Sequence, residues 1–273
     1  MIGITRNPGY LSKKISRFSE YAGSQESLDQ VVVEEPLEIR ISHLGKIRRI
    51  AVTMRTPVGD RELAVGFLFT EGIIKSPTDI VAVDHTQGEN VVTVELGDEV
   101  NVAEPASRNF YLSSSCGVCG KESINDIFVK GRGIIRDTFT VEKSVILSLT
   151  EKMQRNQRLF EFTGGIHAAG IFDALGTHIV TMEDVGRHNA VDKCIGYLLS
   201  NGILGKQPLI LQISGRAGFE ILQKAAVAGL PFVSSVSAPS TLAIEVADTF
   251  GITLASFVRK DRFNVYSHQE RVR

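Results

Sequence analysis

Apolar positions along this chain recur with two different periods, and the period changes at glycines. Residues 31–54, V-V-V-E-E-P-L-E-I-R-I-S-H-L-G-K-I-R-R-I-A-V-T-M, alternate apolar and polar side chains, which predicts two strands joined by a turn at Leu44, Gly45 and Lys46. The next segment, R-E-L-A-V-G-F-L-F-T-E-G, switches to helical spacing, with Asp60 as its N-cap and Gly72 as its stop. Ile80–Asp84 and Val91–Leu96 read as further strands. Residues 1–27 show no clear period and read as a polar tail.

The second half is more regular. Residues 144–160 predict one amphipathic helix with Val145, Leu149, Met153 and Phe160 near a common face. H-A-A-G-I-F-D-A-L-G-T-H-I-V-T-M-E-D reads as a hairpin turning at Leu175 and Gly176. A helix over 189–200 follows, with Val191, Cys194, Ile195, Leu198 and Leu199 on its apolar side. Strands over 209–214, 232–237 and 252–258 then alternate with helices over 219–228 and 242–250, the last opened by Ser237 and Pro239. Alternation of this kind predicts a sheet between helices, a three-layer α/β/α unit over residues 138–273. Residues 28–137 form a smaller α+β unit that carries the only C-x-x-C, and K-G-R-G at 130–133 marks the junction.

Composition narrows the function. The chain has 273 residues, 43% hydrophobic and 22% charged, with 30 basic against 31 acidic side chains. A near-neutral balance argues against bulk nucleic-acid binding. No apolar run approaches the roughly 20 residues of a membrane-spanning helix, and the start lacks the pattern of a secretory signal. Three cysteines in so long a chain are no disulfide framework, and the expected setting is a reducing cytoplasm.

Two of those cysteines, Cys116 and Cys119, stand in S-S-S-C-G-V-C-G-K-E-S at 113–123. One C-x-x-C is half of a tetrahedral zinc site, and no two of the six histidines have ligand-pair spacing. Cys194 falls on the apolar side of a helix and reads as a buried small side chain. A redox dithiol normally opens a helix directly after a strand, where the helix dipole acidifies the first thiol. The surrounding serines and glycines favour an exposed loop instead. On these residues alone a redox dithiol and a persulfide-bearing sulfur remain open.

Two downstream loops suit anions. M-E-D-V-G-R-H-N-A-V-D-K gathers Glu183, Asp184, Arg187, His188, Asp192 and Lys193 between a strand and a helix. I-S-G-R-A-G-F-E places Ser214 and Arg216 in a second strand-to-helix turn. Glycines let backbone N–H groups approach a ligand there, at the sheet edge where ligands commonly bind. No common nucleotide-binding glycine motif is present. Finally F-V-R-K-D-R-F-N-V-Y sets Arg259, Lys260 and Arg262 between aromatic residues, a pattern suited to phosphates and a stacked ring.

These segments, with T-G-G-I-H-A-A and S-A-P-S-T-L-A-I-E-V-A, occur in an order that resembles the formate dehydrogenase accessory sulfurtransferase family over residues 31–266. The resemblance implies a sulfurtransferase that takes persulfide sulfur from a cysteine desulfurase. It would pass the sulfur to a molybdenum or tungsten bis(molybdopterin guanine dinucleotide) cofactor, its bound substrate, before insertion into the formate dehydrogenase apoenzyme. Cys116 would carry the persulfide, with Cys119 assisting or resolving. Phe257, Val258, Arg259, Lys260, Asp261 and Arg262 would bind the cofactor, with Asp184, Arg187, His188, Ser214 and Arg216 as further candidates and His167 beside them. No metal ligand is implied. A cytoplasmic homodimer is implied, as is a cytidine-deaminase-like fold for the C-terminal unit. Deaminase chemistry is not: His167 is followed two residues later by Ala169, and no P-C-x-x-C lies downstream. Two other readings stand beside sulfur transfer, a cofactor-binding chaperone without chemistry and a zinc-dependent nucleobase hydrolase. One departure is Gly218, where the family pattern has a small polar residue.

Overall fold

The computed structural model describes residues 9–20, 23–85, 89–102, 110–112, 133–136 and 139–273. Cys116, Cys119 and most of the 130–133 junction lie outside the described residues.

The polar start is a correction to the sequence reading. Strands β1 (Tyr10–Phe18) and β2 (Ser24–Val32) pair in an antiparallel hairpin over their full length. Both faces are largely exposed, so no period-two pattern exists to be read. The hairpin is held at its base, where the Tyr10 ring stacks on Phe162 at 5.2 Å.

β3 (Glu35–His43) and β4 (Lys46–Arg55) are joined by Leu44 and Gly45, both with positive φ, the geometry of a two-residue hairpin turn. β5 (Ile80–Asp84), β6 (Val91–Leu96) and β7 (Phe110–Leu112) complete a sheet of order β5-β6-β3-β4-β7. Leu37, Ile39 and Ile41 alternate inward with Val92 and Val94, toward the buried helix α1 (Asp60–Thr70). Asp60 is not the N-cap; Gly59 is, and the Asp60 carboxylate instead grips the buried Arg55 guanidinium at 2.8 and 2.9 Å.

The helix expected over 144–160 is two helices, α2 (Lys143–Gln154) and α3 (Arg158–Thr163). Gln157 has left the helical region, and the Glu183 carboxylate accepts the Leu159 and Phe160 N–H groups at 2.8 Å each. A carboxylate at a helix start satisfies orphan donors. The break turns Phe160 outward rather than into the core.

The larger sheet comprises β8 (His167–Asp173), β9 (His178–Asp184), β10 (Leu209–Ile213), β11 (Phe232–Ser235), β12 (Thr253–Ser256) and β13 (Asn264–Ser267) in the order β13-β12-β11-β10-β8-β9. β10, β11 and β12 are parallel, connected through α5 (Phe219–Ala228) and α6 (Thr241–Phe250). Ser240, rather than Ser237, caps α6 by accepting the Ala243 N–H at 3.2 Å. The edge strand β13 had no counterpart in the sequence reading. Ile171, Leu211 and Val233 face a core shared with α5, α6 and α4 (Arg187–Ser200), whereas Phe172, Ile210 and Phe232 face α2. The molecule is a mixed α/β protein with apolar packing on both faces of this sheet.

α1 and α4 cross at glycines. A Cβ on Gly66 would collide with the Asp192 carbonyl, and one on Gly196 with the Glu62 carbonyl. The core of the small sheet therefore runs without interruption into that of the large one.

Candidate functional site

Parallel strands β10, β11 and β12 end on one side of the large sheet, and the loops leaving them are strapped together there. Val236 N donates to Ile213 O, Ala217 N to Ala238 O, and Phe257 N to Ser237 O. β8 begins and β9 ends at this edge, because Ala169 pairs with Ile213 and His167 with Asp184. The topology thus collects every downstream segment singled out in the sequence.

Much of the charge in the first loop is consumed internally. Asp184 is fully buried: it pairs with Lys193 at 2.6 Å and accepts N–H groups from Thr56, Gly186 and Asn189. Lys193 also donates to the carbonyls of Thr56 and Glu183 at 3.1 Å each. Asp192 lies against Lys224 at 2.7 Å, which holds that ammonium protonated by raising its pKa. His188 pairs with Glu220 at 2.7 Å. As placed, Asp184 is a structural tie between β4 and β9 rather than a surface for ligand. Arg187 is the basic group of this loop left half-exposed at the edge, beside Gly215 and His167.

His167 is half-buried, with Nδ1 3.5 Å from the Ser214 hydroxyl. Burial, then the charges of Arg187 and His188, lower its pKa below the usual 6.5 and favour the neutral ring. Ser214 Oγ accepts the Ala168 N–H at 2.9 Å, so its position is fixed. Arg216 is exposed. Gly218 is the N-cap of α5, so the hydroxyl that the family pattern places there would be a helix cap.

The closing segment forms the most open basic feature of the edge. Phe257 has φ 55, an uncommon conformation for a bulky residue, and projects outward. Val258 is fully buried in the α2-facing core, which anchors the turn and removes that side chain from ligand contact. Arg259 donates to the carbonyls of Val236 and Val258. Lys260 is exposed, and Asp261 and Arg262 are an exposed pair 3.5 Å apart, too loose to neutralise Arg262. Phe257, Arg259, Arg262 and Asn264 line a cavity of about 280 Å³.

A second cavity, of about 470 Å³, lies between α2, α3 and the same edge, lined among others by Gln157, Phe160, His167, Ser214 and Val236. Val236 lines this second space, and its carbonyl accepts from Arg259, which lines the first. Sequence reasoning missed Gln157 and Asn264: isolated amides in polar segments carry no spacing signal. Among the described residues no cluster of three His, Cys, Asp or Glu side chains could hold a metal ion.

A family model described as the FdhD/NarQ family matches residues 32–273. The chain belongs to that family. FdhD/NarQ relatives include the sulfur carrier protein FdhD of Picrophilus torridus, 54% identical over 245 residues that cover 89% of this chain and 92% of the relative. The sulfur carrier protein FdhD of Thermoplasma volcanium is 48% identical over 267 residues, 95% of each chain. A crystal structure described as a formate dehydrogenase accessory protein, from Desulfotalea psychrophila, superposes with a TM-score of 0.79 at 26% identity. It covers 97% of this chain and 100% of its own.

Proposed function

We propose that this FdhD/NarQ chain is a sulfurtransferase of formate dehydrogenase maturation. It receives sulfane sulfur on Cys116 and delivers it to a molybdenum or tungsten bis(molybdopterin guanine dinucleotide) held at the loop edge. The observation that carries this reading is the parallel pairing of β7 with β4. It sets Leu112, four residues before Cys116, beside Thr53, whose hydroxyl donates to Asn189 in the first turn of α4. The chain thus enters the cysteine segment from β7, whose neighbour β4 is hydrogen-bonded through Thr53 to the helix that opens with Arg187.

The chemistry balances on two thiols. The Cys116 thiolate attacks the outer sulfur of a desulfurase persulfide; that S–S bond breaks and the donor leaves as a thiolate. Attack of the Cys119 thiolate on the inner sulfur of the Cys116 persulfide then releases the outer sulfur as sulfide to the cofactor. The two thiols are oxidised to a disulfide as the sulfane sulfur is reduced. At the edge, Arg259, Lys260 and Arg262 supply donors for the dinucleotide phosphates and Phe257 an exposed ring for stacking. Packing on both faces of the large sheet supports a cytidine-deaminase-like reading of residues 138–273. A cytoplasmic homodimer follows from the family resemblance, and light scattering reads the oligomeric state.

The test is intact mass after incubation with a cysteine desulfurase and cysteine. One added sulfur is expected on the wild-type chain and none on Cys116→Ser. An unchanged sulfur gain on a folded Cys116→Ser variant would sink the assignment.

A further inference from the structure

The turn between β3 and β4 displays an apolar residue at a conformational cost. Leu44 has φ 50 and Gly45 φ 72, the left-handed pair of a two-residue turn that Asn–Gly fills best. A bulky side chain is uncommon there, and such outliers cluster at functional sites. Packing does not repay it, since Leu44 stays 64% exposed and Ile47 66%. Lys46, Arg48 and Arg49 surround them. None of the three forms an ion pair among the described residues, although Glu95 ends nearby β6 and Asp98 and Glu99 follow it.

Cations alone would guard the edge of β4, which β7 pairs only at Ala51, Val52 and Thr53. Two exposed apolar side chains set among them do the reverse and make the tip adhesive. Ile47 pairs with Ser42 and Arg49 with Arg40, so both lie on the face of the sheet turned away from α1. Apolar anchors ringed by cations match an acidic protein surface with an apolar notch.

The position narrows the partner. Thr53 ties β4 to the first turn of α4 at the loop edge, and Lys46 lies seven residues back, about 20 Å along the strand. A protein seated on the tip leaves that edge uncovered for the cofactor and for the apoenzyme that collects it. We infer that the β3–β4 tip is the docking point of the sulfur donor, a desulfurase that presents an acidic rim around an apolar notch. The inference rests on the proposed function and adds the surface through which loading occurs.

The experiment measures the rate of sulfur gain by intact mass on the full chain, from a cysteine desulfurase with cysteine and, separately, from glutathione persulfide. With either donor the Cys116 thiolate takes the outer sulfur and the donor leaves as a thiolate. The variants are Leu44→Asn and Arg49→Glu. Loading of each from the desulfurase is expected to slow about tenfold, the scale of one interface anchor, while loading from glutathione persulfide stays unchanged. Wild-type loading from the desulfurase should also slow between about 50 and about 300 mM salt. Leu44→Asn should melt at an equal or higher temperature than wild type, because Asn–Gly suits the turn better. Unchanged desulfurase loading of either variant overturns the inference and leaves the proposed function standing; if activation of formate dehydrogenase falls instead, the tip docks the apoenzyme. Slowing with both donors, or a lower melting temperature of Leu44→Asn, would assign the tip a structural role and also overturn it. Sedimentation of wild type, but not of the variants, with phosphatidylserine vesicles would make the tip a membrane contact and overturn it as well. Absence of sulfur gain by wild type from the desulfurase overturns the proposed function and this inference together.

Discussion

Removing either member of the Asp184–Lys193 pair should be costly, and the two losses should differ in a direction fixed by their neighbours. Both side chains are fully buried and 2.6 Å apart. Breaking such a pair from one side typically costs about 3–5 kcal/mol. Lys193→Met leaves the carboxylate still accepting three N–H groups, from Thr56, Gly186 and Asn189. Its cost therefore belongs at the lower end, about 3 kcal/mol. Asp184→Asn leaves a buried ammonium facing only the neutral carbonyls of Thr56 and Glu183. It also turns an NH₂ group toward N–H donors, because both carboxylate oxygens now accept. Its cost belongs at the upper end, about 5 kcal/mol, a large share of the 5–15 kcal/mol typical of a folded protein. Urea unfolding followed by circular dichroism measures both. The double variant should lose less than the sum of the singles. A loss under about 1 kcal/mol for either single variant, or Lys193→Met the worse of the two, would refute the reasoning.

Three further outcomes are expected. Gly66→Ala forces a Cβ into the Asp192 backbone carbonyl, so α1 and α4 must separate, with a loss of about 3 kcal/mol or more in thermal unfolding; an unchanged melting temperature would contradict this. Burial and neighbouring cations favour neutral His167, so below its ordinary 6.5 the unfolded chain takes up a proton that the native state resists, and stability falls as pH drops from there. Partial burial of His178 acts in the same direction, so His167→Gln should reduce, but not abolish, the difference between urea midpoints at about pH 7.5 and about pH 5.5. Arg259→Ala should weaken GDP about tenfold in calorimetric titration and lessen the salt dependence of binding, with a small fall in melting temperature from its two lost carbonyl bonds; equal affinity would remove the basic turn from the site.

Legibility followed burial. β3, β4, β10, α4 and α5 were readable because one face of each is apolar and the other is not, or because a short apolar run is bounded by turn residues. The β1–β2 hairpin was unreadable because neither face is buried. The break between α2 and α3 depends on Glu183, a residue brought in from β9, which no local pattern announces. The charged loop at 182–193 was legible as a concentration of charge but not as to its purpose. Its partners, Thr56, Glu220 and Lys224, come from elements distant in sequence. The basic turn at 257–262 was found, yet Val258 within it proved to be a core anchor.

The glycine crossing of α1 and α4 also bears on how the chain is made. α1 is apolar around most of its circumference, and nine of its residues are buried in the finished protein. Its partner begins at Arg187, roughly 120 residues downstream, a delay of about ten seconds at ordinary synthesis rates. Over that interval the nascent small sheet must carry α1 with an uncovered greasy flank. The first half is thus a natural client for chaperones at the ribosome, and a fragment ending before α4 should aggregate rather than fold alone.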